Sequence, residues 1–410
     1  MISNTYSCNV EDDNDDHGHD HNIEPHKPDS EQSALHLLTL LIKCADHITT
    51  NNTTAATNLL PEINLLSTPY GSPPHRVAAY FSHSISSLLI NTHLRRDNHS
   101  IPSSPSLRHH HLRHLHAAFQ SYNSLTPLIK FSHFTSNQAI YDVVSSPSFD
   151  GCDHVHVIDV DVMQGLQWPG FFHIISSSSR KLVSVKLTGF GPDMRVLTQT
   201  GRRLEEFAGS AGVQFEFNPV QGRIGDLTEL SRLGPTRSDS VVVLHWVHHG
   251  VYDVCGSRDG FVRVLAAVRP RLVTMVEQGL PKTTSFQGRF VGAIHYYSAL
   301  FDALGEGLGR DSVQRYMVEH HLFGREIKNV LDIEDRVGVV PWADELNRIG
   351  FETFSLSGSP ATQASLLLEM FPWKGYTLME ENGRLKLGWK DLPLLTASAW
   401  QPKDYCNTAK

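Results

Sequence analysis

The chain has 410 residues, 40% hydrophobic and 19% charged, which is enough apolar content to bury a large core. Its formal net charge of −8 repels nucleic-acid phosphates on average and argues against a protein whose main contact is DNA. Cys8, Cys44, Cys152, Cys255 and Cys406 stand far apart without a CxxC pair, which excludes a disulfide framework or Cys-based zinc site, and no run nears the roughly 18 apolar residues that span a bilayer.

Residues 1–30 combine acids, His, Asn and Pro with little apolar content, so a short disordered tail is expected. From there Leu37, Leu40, Leu41, Cys44 and Ile48 recur at helical spacing behind Asp29 and Ser30 as caps. A second stripe is Ala55, Leu59, Leu60 and Ile63; a third is Val77, Tyr80, Phe81, Ile85, Leu88 and Leu89, with PYGSPP turning the chain between them. A loop at 97–106 precedes a further helix over about 107–130. An α-helical cap is the natural product.

After it the pattern changes. β-rich runs at 154–160, 182–189, 213–220, 241–247 and 271–278 alternate with helical segments, which implies a mainly parallel, Rossmann-like α/β sheet. Helices over 290–304 and 310–323 lead to a strand at 351–356 and a helix around 362–370. Asn382-Gly383 between two alternating runs at 376–389 marks a hairpin. This order is that of S-adenosylmethionine-dependent methyltransferases.

The chemistry of those enzymes needs a Gly-rich turn after the first strand and an acid ending the second. Here the first strand runs into Asp159-Val160-Asp161-Val162-Met163-Gln164-Gly165, and the second ends Leu187-Thr188-Gly189-Phe190 without a carboxylate. No cofactor is therefore expected. Paired acids such as Asp159 and Asp161 suit general acid/base work, but the plainer reading, adopted here, has them cap the next helix or meet a basic group. His245, His248 and His249 end the fourth strand, where satisfying local backbone is the commoner role. Two His-rich stretches, HGHDHNIEPH and residues 108–116, read as solvated surface rather than metal sites. No GxSxG elbow, P-loop or HExxH occurs, so no catalytic residue is assigned. The pattern Leu37-Leu38-Thr39-Leu40-Leu41 fits both a buried helix stripe and an LxxLL-type docking surface.

Several blocks, in order, resemble the GRAS family of plant regulators. Val155-His156-Val157-Ile158-Asp159 is similar to its VHIID motif, and LLTLLIKCAD with RVAAYFSHSISSLL to its first leucine-rich region. LTGFG through FEFNPV resembles the second leucine-rich region. Pro270, the 290–301 segment with Tyr296-Tyr297, and Arg325-Glu326 fit the PFYRE motif. The tail, with Trp389 and closing Ser398-Ala399-Trp400, resembles the SAW motif. The likeness spans about residues 33–402 and points to the SCARECROW-like group, closest to its short paralogue.

The resemblance implies a GRAS domain over 31–405, with the cap at 31–135 and the Rossmann-like core at 136–410. It implies a non-enzymatic transcriptional regulator of the plant nucleus, present also in the cytoplasm, that binds DNA mainly through other proteins. A SHORT-ROOT-type GRAS protein would pair with the cap, through Leu37, Leu40, Leu41, Val77, Tyr80, Phe81 and Leu88. INDETERMINATE-domain zinc-finger factors would supply DNA recognition, and the VHVID, PFYRE-like and SAW segments would brace the core. No block of five or more Lys/Arg occurs, so import would depend on another signal or on a partner.

Overall fold

The computed structural model describes residues 28–96, 105–147, 153–178, 184–283, 285–332, 340–371 and 373–403. Residues 1–27 of the expected tail, Cys8, Cys152 and Cys406 lie outside them, as do the side chains of His109, His110 and His111. Pro28, Asp29 and Ser30 already belong to the first helix, so Asp29 and Ser30 stand within it rather than before it.

The cap opens with α1 (Pro28–Thr49), α2 (Thr53–Leu66) and α3 (Pro73–Arg96). Leu37, Leu40, Leu41, Cys44 and Ala45 are buried on one face of α1, the i, i+3, i+4, i+7 stripe an amphipathic helix needs. Asn52 caps α2 by accepting from the Ala55 N–H. The single helix expected over 107–130 is two, α4 (Pro105–Leu125) and α5 (Leu128–Val144). Pro127 lacks an N–H and disfavours helix at the residue before it, which ends α4. Residue 135, the expected boundary between cap and core, falls inside α5.

Beyond it come β1 (His154–Asp159), α6 (Trp168–Ser177), β2 (Ser184–Gly191), α7 (Met194–Ser210), β3 (Phe215–Gln221), β4 (Ser240–Val247), α8 (Arg258–Val268) and β5 (Leu272–Gln278). These five strands are parallel in the order 3-2-1-4-5, a Rossmann-like arrangement. The chain returns to the cap side with α9 (Phe286–Gly305), α10 (Val313–Val318), a π-helical turn at Glu319–Phe323 and α11 (Gly324–Leu331). It closes with α12 (Trp342–Arg348), β6 (Phe351–Phe354), α13 (Ser359–Glu369), β7 (Tyr376–Glu381), β8 (Arg384–Trp389) and β9 (Leu392–Pro402).

The hairpin forms between β7 and β8, with Asn382 and Gly383 at φ 52° and 73°, the left-handed pair a type I′ turn requires. The strand that sequence pattern missed is β9. It pairs antiparallel with β5, β6 and β8 and so joins the ribbon to the parallel half. One continuous core runs from Leu37 through one face of the sheet, with Val155, Val157 and Val243, to Ala399. A second lies under the other face, where Ile158, Trp246 and Trp400 meet Phe261 and Trp342. Alternate residues of β1 therefore serve different cores, as strand geometry demands.

Candidate functional site

Among the described residues, two hollows bear most directly on the residues singled out by the sequence. The first is the crevice at the carboxyl ends of β1 and β4, where the strand order reverses and α/β proteins usually hold ligands. Asp159, the last residue of β1, accepts hydrogen bonds from the Asp161 N–H at 3.1 Å and the Trp168 indole at 3.0 Å. Burial, reinforced by neighbouring Asp161, pushes its carboxyl up to about 8. Oδ2 of Asp161 accepts from His249 Nε2 at 2.8 Å and Tyr252 Oη at 2.6 Å. The expected basic partner of the acid pair is therefore His249, 88 residues away in sequence, while Asp159 meets N–H donors and caps no helix.

His245 bonds Thr274 at 2.8 Å through Nδ1, and burial drives both it and His248 down to about 3. His248 Nε2 is buried without a hydrogen-bond partner. From the cap side Glu326 Oε1 accepts from the Gly250 N–H at 2.9 Å and Gln278 at 3.1 Å, and Oε2 from Tyr297 at 3.2 Å. Arg325 reaches the Val251 carbonyl through Nε. The PFYRE-like pair thus ties α11 to the loop after β4, a role its sequence position alone does not reveal.

The turn after β1 is not the open Gly-rich loop that an adenosyl cofactor approaches. It is fastened to α7: Thr200 donates to the Met163 carbonyl at 3.0 Å and Arg203 to that of Gln164 at 3.2 Å. A Cβ at Gly165 would stand 3.0 Å from Leu204 and Thr200, so this glycine serves helix contact rather than cofactor approach. The enclosed space at this crevice is about 120 Å³, and a more open hollow of about 690 Å³ lies beside it at the ends of β1, β2 and β3, lined by Asp161, Gly191, Asp193, Arg223 and Arg325.

The remaining motif residues make their contacts within the fold. His156 bonds Thr188 and Thr236, both at 2.8 Å. Trp389 donates to Asp302 at 2.8 Å and Trp400 to Ser398 at 3.1 Å, with Arg384 lying 5.0 Å over the Trp400 ring. Ala399 pairs with Thr274 on one side and Phe354 on the other. Among the described residues no group of three or more His, Cys, Asp or Glu is placed to hold a metal ion.

The second place is a groove of about 890 Å³ on the cap, between α1, the start of α3, α9 and the β8–β9 turn. Leu37, Leu41 and Val77 line it. Leu35 and Leu38 stand out, 66% and 37% exposed. Leu40, Tyr80 and Phe81 are buried within the chain's own core and offer no free face, while half-buried Leu88 lines a separate hollow beside Phe286. The LxxLL-like run is thus divided, with three leucines turned inward and Leu38 outward, together with Leu35 one turn earlier.

The GRAS domain family matches residues 37–401. The chain is 48% identical to Scarecrow-like protein 23 of Arabidopsis thaliana over 376 residues, 91% of each protein. It is 48% identical to SCARECROW of Arabidopsis thaliana and 47% to SCARECROW of Pisum sativum, over 93% and 92% of its own length. There the matched stretch makes up only 57% and 45% of the relative, so the chain spans about half the length of these SCARECROW proteins. The crystal structure of SCL7 in Oryza sativa superposes with a TM-score of 0.72 at 28% identity, covering 89% of this chain and 99% of that one.

Proposed function

Since the chain belongs to the GRAS domain family, we propose that it is a plant transcriptional regulator that works in the nucleus by holding other proteins rather than by catalysis. The reading is carried by the cap groove: exposed leucines of α1 beside an apolar floor shared by α3 and α9. Such a trough suits an amphipathic helix laid in with anchors at i, i+3 or i+4 spacing. Lys390 and Asp302, paired at 2.5 Å, form part of its polar rim.

The partner proposed for this groove is a SHORT-ROOT-type GRAS protein. INDETERMINATE-domain zinc-finger factors then supply DNA recognition, a division of labour that fits a net charge of −8. Calorimetric titration of the full chain with a SHORT-ROOT-type GRAS domain tests the pairing. Saturable binding tighter than about 1 μM, roughly −8 kcal/mol, is the expected outcome. Absence of heat at tens of micromolar overturns it.

A further inference from the structure

The crevice between β1 and β4 retains a small cavity that the regulator role leaves unused. Its floor is the ends of β1, β4 and β5, and its roof comes from α4, α5 and the π-helical turn through Phe119, Leu128 and Leu322. Three polar atoms of its lining residues, His248 Nε2, Gln164 Oε1 and Asp161 Oδ1, are buried without a partner. Buried polar groups are nearly always bonded, so such orphans mark a place where something else supplies the bond. The volume of about 120 Å³ resembles the roughly 150 Å³ engineered cavity that admits benzene.

Charge complementarity narrows the choice. No Lys or Arg is among the lining residues, so an anion would find no counter-charge. A cation fares no better, because the carboxylate oxygens are either engaged or turned toward the β2 side. Asp159 and Glu326 have both oxygens bonded, and Asp161 holds His249 and Tyr252 with one of its own. The other oxygen of Asp161, buried without a partner, lies 3.9 Å from where a Cβ of Gly191 would stand, on the β2 side.

We propose that this cavity binds a small neutral molecule, a ring of about six to ten non-hydrogen atoms in all bearing one or two hydroxyl or carbonyl groups, bonded by His248 and Gln164. The neutral forms that burial imposes on His245, His248 and Asp159 agree with an uncharged occupant. Because roof and floor belong to cap and sheet, an occupant fastens one to the other and raises the unfolding temperature.

The test uses the full chain at pH 7 and a series matched in size: benzyl alcohol, benzoate and benzylammonium. Ligand-observed NMR and thermal unfolding are expected to show saturable, millimolar or tighter binding of benzyl alcohol with a raised Tm. The two ions are expected to bind at least tenfold more weakly. Val247→Phe fills the cavity and is expected to abolish binding. Should that variant fail to fold, Gln164→Leu removes an orphan acceptor and is expected to shift preference from benzyl alcohol toward toluene. No saturable binding at 10 mM, the result for a cavity that holds only water, overturns the proposal. So does equal binding of the ions, or binding that neither variant alters.

Discussion

Asp159 is 4% exposed, and both of its carboxyl oxygens are occupied by N–H donors. Its pKa of about 8 in the folded chain compares with about 3.9 when unfolded. Between those values the folded state holds the extra proton, so this group favours folding most at acid pH and its contribution is lost as pH rises through about 8. Asp159→Asn keeps an acceptor for Trp168 and removes the titration. Relative to the parent, the variant should gain stability between pH 4 and 8 by roughly 1 kcal/mol per pH unit, read from urea unfolding at several pH values. Parallel profiles for parent and variant contradict the buried, protonated carboxyl. Arg76 and Glu319 form a second buried centre, 2.6 Å apart and 1% and 0% exposed, which fastens α3 to the π-helical turn. Arg76→Met leaves the acid only Arg315, 3.8 Å away, and should cost roughly 3 kcal/mol in chemical denaturation. The motif run Val155 to Asp159 was legible as a buried strand because alternation and β-branching mark it. The pairs His249–Asp161 and Arg76–Glu319 were not, since they join residues 88 and 243 positions apart and no local pattern encodes such a contact.

At the scale of elements, α1 shows how a periodic stripe is read correctly while its exposed side is overlooked. The stripe identified the helix, but Leu40 packs inside and Leu38 does not. Leu40→Glu should therefore unfold the cap by burying a carboxylate, visible as a lost or lowered thermal transition. Leu35→Glu with Leu38→Glu should leave Tm within a few degrees and weaken partner binding at least tenfold. Loss of fold in the surface pair, or unchanged affinity, contradicts the division of that helix. The β7–β8 hairpin was legible because Asn-Gly is a local signal; Gly383→Ala forces a side chain into φ 73° and should cost about 1–2 kcal/mol in chemical denaturation. The strand β9 escaped because Pro393 and Pro402 and the Thr-Ala-Ser-Ala run weaken its alternation. Its identity as a strand comes from the neighbours β5 and β8, which satisfy its backbone on both sides.

Over the whole molecule, cap and sheet are not separate bodies, because one apolar core passes from α1 and α3 through α9 into the sheet. The boundary expected at 135 falls where α5 runs on to pack against the sheet and α13. Length and alternation of elements disclosed the Rossmann-like order, but not that half of the strand pairings are antiparallel, since that depends on where β9 inserts. A shared core also means that contacts on the cap groove bear on the same unit that holds the β1–β4 crevice. Hydrogen exchange of the full chain, alone and saturated with a SHORT-ROOT-type GRAS domain, tests the proposed docking face most directly. Slowed exchange in the first turns of α1, in α9 around residues 294–302 and in the β8–β9 turn is the outcome the groove predicts. Complex formation with those segments unprotected, and protection confined to the sheet edge at β3, contradicts it.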